Sequence, residues 1–124
     1  MRTVRRFLIV DDAEAVVRLL VRYLVKAGHE AKGAASAEDA LELLARESFD
    51  LIFLDDGLPK MMGLTAIPEI QKLSRAPIVM ITGLDSEDMR KDAALLGAHC
   101  VLLKPIEFEA LAARVRELLG PDAI

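Results

Sequence analysis

The chain has 124 residues, of which 53% are hydrophobic and 29% charged. That is enough apolar material for one domain spanning residues 1–124, and it excludes intrinsic disorder. A formal net charge of −4 argues against sequence-independent binding to nucleic acid or anionic lipid, which needs clustered Lys and Arg.

Phe7-Leu8-Ile9-Val10 is a short apolar run that stops at Asp11-Asp12, and it predicts a first strand. The basic residues before it resemble a signal peptide, but the run is shorter than the roughly 7–15 apolar residues an h-region needs. From Ala13 to Ala27 the apolar positions Val16, Leu20, Leu24 and Ala27 recur at helical spacing, and Gly28 marks the stop. His29 to Ala34 predicts a weak strand, mostly from context. Ser36 followed by Asp39 fits a helix N-cap, and the helix it opens points Ala40, Leu41, Leu44 and Ala45 inward.

Leu51-Ile52-Phe53-Leu54 reads as a strand buried on both faces. It ends in Asp55-Asp56, and a loop with Pro59 runs from Gly57 to Gly63. A helix to about Leu73 contains Pro68, so it either starts there or bends there. Ile78 to Ile81 is the fourth strand, ending at Thr82-Gly83, and Ser86 caps a helix closed by Gly97. Val101-Leu102-Leu103 is the fifth strand, ending at Lys104-Pro105, and a last helix runs from about Glu107 to Leu119. Strands alternating with helices predict an α/β fold: a doubly wound, five-stranded parallel sheet with helices on both faces.

Ligands of such sheets bind beyond the carboxyl ends of the strands. The strand ends here carry Asp11, Asp12, Asp55, Asp56, Thr82 and Lys104. Crowded carboxylates repel one another, and a divalent cation relieves that repulsion. Oxygen donors without His or Cys point to Mg²⁺ rather than zinc. One carboxylate can then attack phosphorus and form an acyl phosphate, with the lysine neutralising phosphoryl oxygens and the threonine hydroxyl bonding one of them. Asp56 points away from Asp55 in an extended chain, so it reads as solvated or as a supporting residue. His29 and His99 read as surface or partly buried residues rather than ligands, Cys100 as a small hydrophobe, and Arg5-Arg6 and Arg114–Arg116 as solvated flanks.

These motifs resemble the receiver domain of bacterial two-component response regulators over essentially the whole chain. The matching segments are Leu8 to Asp12, Phe53-Leu54-Asp55 with Pro59 and Gly63, Ile81-Thr82-Gly83, and Lys104-Pro105. The resemblance implies the flavodoxin-like strand order 2-1-3-4-5. It makes Asp55 the phosphoacceptor and places Mg²⁺ on Asp12, Asp55 and the Gly57 carbonyl, with Asp11 acting through a water. It makes Thr82 and Lys104 the phosphoryl-binding residues and implies a cis peptide before Pro105 that aims the lysine. It implies a histidine kinase or histidine phosphotransfer protein as donor and an unnamed downstream protein as reader. Neither direct nucleic-acid contact nor membrane insertion is expected. The only catalysis implied is the chain's own phosphorylation and dephosphorylation.

Several positions depart from the family pattern. Val101 stands where the family usually has an aromatic switch residue, and Met62 where a polar residue is common. His99-Cys100 replaces acids often used in dimer salt bridges. Gly57 and Leu84, at positions that tune hydrolysis in this family, have no side-chain group to orient a water, so a long-lived phosphorylated state is expected. The chain ends soon after the last helix, which favours a stand-alone module, though an excised receiver fits as well. With no transmembrane run and one cysteine, a soluble cytoplasmic protein is expected. The alternative is a degenerate receiver that binds partners without phosphorylation. A phosphatase of the haloacid dehalogenase type is disfavoured, because the general acid it needs two residues after the nucleophile is here Gly57.

Overall fold

The computed structural model describes residues 3–84 and 86–124. Its elements alternate strictly: β1 (Arg6–Val10), α1 (Glu14–Lys26), β2 (Glu30–Ala34), α2 (Ala37–Leu44), β3 (Leu51–Asp55), α3 (Gly63–Leu73), β4 (Ile78–Thr82), α4 (Glu87–Leu96), β5 (Cys100–Leu103) and α5 (Phe108–Leu119). All strand pairs are parallel, in the order β2-β1-β3-β4-β5. The expected fold and strand order are therefore observed.

The central strands can be continuous apolar runs because each feeds two cores. Successive side chains on a strand point to opposite faces. Leu8, Val10, Ile52, Leu54, Ile78 and Met80 face one side and meet α2, α3 and α4. Phe7, Ile9, Leu51, Phe53, Val79 and Ile81 face the other and meet α1 and α5. Phe7 and Phe53 are fully buried, and burying a ring of this size is worth about 1.5–3 kcal/mol. β2 lies at the edge, and of its sequence EAKGA only Ala34 is buried, which explains its weak signal.

Helix ends follow the sequence rules with two refinements. Ser36 Oγ accepts from the Asp39 backbone N–H at 3.1 Å, and Ser86 Oγ does the same for Met89 at 3.4 Å. In α2 Ala37, Ala40 and Leu44 are buried and Leu41 packs partly buried against the same core, while Ala45 caps the helix and is exposed. α3 begins at Gly63 and runs through Pro68. Proline has no N–H to give the carbonyl four residues back, but buried Ala66, Ile67 and Ile70 anchor the helix to the sheet.

Two sequence readings need correction. His29 is buried at 4% exposure. Its Nδ1 accepts from the Arg5 backbone N–H at 2.9 Å, and its Nε2 donates to the Ala123 carbonyl. The segment after α5 folds back over it, a contact that no local pattern announces. Arg6 is not a solvated flank either. Its guanidinium pairs with Glu47 at 2.6 Å and lies over the Phe49 ring, 4.8 Å from the centroid. His99 is exposed and Cys100 partly buried against the α1/α5 core, as expected.

Candidate phosphoryl-transfer site

The chain leaves β1 for β2 on one side and later crosses to β3 on the other, so the switch point lies between β1 and β3. Asp11 follows β1 and Asp55 ends β3. The neighbouring ends supply Thr82 from β4 and Lys104 just beyond β5. Asp11, Asp12 and Asp55 each present an oxygen within 4.8 Å of the others'. Asp11 and Asp55 are buried and Asp12 is exposed.

Backbone contacts fix these side chains. The Asp11 N–H donates to the Ala34 carbonyl at 3.0 Å, and Asp11 Oδ1 accepts from the Ala13 N–H at 2.9 Å. The Lys104 N–H donates to the Thr82 carbonyl at 2.7 Å, tying β5's end to β4's. The Lys104–Pro105 peptide is cis. Gly63 opens α3 directly behind the acceptor strand: a Cβ added there would lie 2.2 Å from the Asp55 carbonyl oxygen. Only glycine lets α3 approach this closely.

Lys104 Nζ lies 2.8 Å from Asp11 Oδ2 and 3.2 Å from Asp55 Oδ1. The pairing with Asp11 is the shorter of the two. Burial works against the lysine's charge, but its hydrogen bonds and ion pairs with Asp11 and Asp55 outweigh this and raise its pKa. Asp55 is also raised. Burial is the main cause and the Asp11 charge the second, together exceeding the opposing pull of Lys104 and of a backbone hydrogen bond from Gly57.

A raised folded pKa carries a definite sign. The stability Asp55 contributes is fully present below the unfolded pKa of about 3.9 and is lost as pH rises through the folded value. Asp55→Asn removes that charge and is expected to stabilise the fold near neutral pH by about 1 kcal/mol, a usual size for a favourable single change. The gain should shrink as pH falls through the folded pKa of Asp55. Thermal melts of both proteins across pH will check this, and an Asn variant less stable at pH 7.5 would contradict it.

Thr82 is fully buried. Its Oγ1 donates to Asp56 Oδ2 at 2.9 Å and accepts from the Leu84 N–H at 3.0 Å. Asp56, just past the end of β3, is half-buried and bonded to Thr82 rather than simply solvated. Val101 is partly buried against the α2/α3/α4 core, and Met62 is exposed at the start of α3.

The oxygen-only donor set suits a hard divalent cation. The upward pressure on Asp55 from burial and from Asp11 is what such an ion would relieve.

The model of the response regulator receiver domain family matches residues 7–116. Response regulator PleD of Caulobacter vibrioides is 39% identical over 91% of this chain and 26% of its own length. A CheY-like receiver domain from Methanospirillum hungatei superposes with a TM-score of 0.89 at 30% identity, covering 97% of each chain. A response regulator from Burkholderia pseudomallei, solved with a phosphorylated aspartic acid, a calcium ion and citrate, gives a TM-score of 0.84 at 31% identity over 96% of this chain and 68% of its own. The chain belongs to the response regulator receiver family. It spans about half the length of the transcriptional regulators it matches. Among the described residues no helix is long and apolar enough to cross a membrane.

Proposed function

We propose that this chain accepts a phosphoryl group on the Asp55 carboxylate from a histidine kinase or histidine phosphotransfer protein, and thereby changes its affinity for a downstream protein in the cytoplasm. The observation that carries this is the Lys104 ammonium bridging Asp11 and Asp55 at the switch point. An Asp55 oxygen attacks phosphorus. A new O–P bond forms as the donor's N–P bond breaks, and the leaving imidazole keeps the electron pair and takes up a proton. Lys104 stands ready to neutralise the incoming oxygens. Asp12, Asp55 and the Gly57 carbonyl would hold Mg²⁺, with Asp11 linked through a water. The ion supplies positive charge that offsets the carboxylates and the phosphoryl oxygens. The chain transforms no separate substrate.

Intact mass after incubation with acetyl phosphate and Mg²⁺ tests this. One added phosphoryl group is expected, lost in Asp55→Asn and lost without metal. A side chain at position 57 would begin 3.8 Å from Asp55 Oδ2, and here it is glycine; Leu84 is 71% exposed and apolar. Neither side chain can orient a water, so the adduct should persist well beyond seconds, and decay within seconds would contradict this. Val101 motivates a second reading, a module that binds its partner unphosphorylated. Absence of any adduct would favour it.

A further inference from the structure

We propose that Asp56 is a positioning residue that holds the Thr82 hydroxyl in the unphosphorylated arrangement, so that Asp56 and a phosphoryl group on Asp55 compete for one proton. This rests on the phosphoacceptor reading above.

A hydroxyl has one proton to donate. Thr82 is fully buried, so that proton must find an acceptor inside the protein. Two are in reach: Asp56 Oδ2 at 2.9 Å and the Leu84 carbonyl at 3.3 Å. The carboxylate is nearer and charged, and a charge-assisted bond is roughly twice as strong as a neutral one. Asp56 therefore takes the proton.

The backbone sets up this contact. Asp55 registers with Ile81, and the Asp56 N–H donates to the Ile81 carbonyl at 3.2 Å, which carries the β3 chain one residue further beside Thr82. The Gly63 N–H donates to the Asp56 carbonyl at 3.2 Å and fixes that turn. Thr82 can donate to a phosphoryl oxygen on Asp55 only by leaving Asp56, and the Leu84 amide, which donates to the same hydroxyl, must change its environment when it does.

The probe is beryllofluoride with Mg²⁺, a phosphoryl mimic. Removing a hydrogen bond to a charged group should tighten its binding about tenfold in Asp56→Ala. Asp56→Asn removes the charge but keeps a neutral acceptor, so it should tighten binding by only about threefold. On a Thr82→Val background, Asp56→Ala should have no effect. In the metal-free, unliganded proteins, the NMR resonance of the Leu84 amide should move toward its beryllofluoride-bound position in the order wild type, Asn, Ala.

Equal tightening in the Asn and Ala variants that survives in the Thr82→Val background would reduce the effect to bare charge and overturn the proposal. So would an unmoved Leu84 resonance. If wild type binds no beryllofluoride, the phosphoacceptor reading fails and takes the proposal with it. If wild type binds but the variants match it, only the proposal fails. If the Ala variant does not fold, the nearly isosteric Asp56→Asn decides: its tightening should vanish on the Thr82→Val background, and tightening that survives there overturns the proposal.

Discussion

Lys104→Met is expected to lower stability at pH 7.5 by about 3 kcal/mol, toward the lower end of what breaking a buried ion pair costs. The lower end applies because the lysine side chain is 24% exposed. The loss arises less from the attraction removed than from what is left behind. The Asp11 and Asp55 side chains are 0% and 6% exposed, and without the ammonium two buried carboxylates face each other. The pH dependence separates this from a packing defect. The folded pKa of Lys104 is raised, so the stability it contributes is fully present below the unfolded lysine pKa of about 10.4 and is lost only above it. Acidification therefore takes nothing from the wild type through Lys104. In the variant the Asp55 carboxyl shifts further upward, and protonating it relieves the repulsion. Urea midpoints for Lys104→Met should rise relative to wild type between pH 8 and pH 5. A deficit constant across that range would point to lost packing of the lysine stem instead.

Gly63→Ala should damage both stability and phosphoryl acceptance. Two effects oppose each other. Alanine is intrinsically the better helix former by about 1 kcal/mol, and Gly63 is the first residue of α3. Against this, the new Cβ would meet the Asp55 carbonyl oxygen at 2.2 Å, the Asp56 Cα at 2.9 Å and the Asp55 carbonyl carbon at 3.0 Å. All three are backbone atoms, so no rotamer change relieves the contact, and α3 or the end of β3 must shift. Overpacking of this kind costs about 1–3 kcal/mol and occasionally more, so a net loss of about 2 kcal/mol is expected. A displacement approaching 1 Å at a reacting group can cost about a hundredfold in rate, and acetyl phosphate incorporation should fall by that order. Gly83→Ala is the control, since an added Cβ there has nothing within 4 Å. Wild-type behaviour of Gly63→Ala would show that the close approach of α3 is not required.

The strands and the carboxylate positions were legible because their physics is local. β1, β3 and β4 are short apolar runs ended by polar residues, and burial on both faces writes that pattern directly into the sequence. Ser36 and Ser86 announced their helices through their own hydroxyls. What stayed hidden depends on which strand lies beside which. The alternation rule set Asp56 apart from Asp55, but it could not show that the Asp56 carboxylate meets the Thr82 hydroxyl. The pairing of Lys104 with Asp11 joins residues 93 positions apart. His29 looked like a surface residue because the chain that buries it arrives 94 residues later. Gly63 read as a loop glycine within the matching motif, with no sign of its tight contact, which comes from how closely α3 rides on the acceptor strand.

The chain has no tryptophan and one tyrosine. Tyr23, on α1, stacks on Phe108 of α5 with ring centroids 4.3 Å apart and planes 3° from parallel. Near-ultraviolet emission of the native protein thus originates from one ring, on the side of the sheet covered by α1 and α5. A denaturation curve followed by that emission watches this half of the molecule, whereas far-ultraviolet circular dichroism averages over both. Coincidence of the two curves would mean that the two hydrophobic layers melt as one cooperative unit. Separation would mean that the face bearing Val101 can loosen while the tyrosine stays stacked.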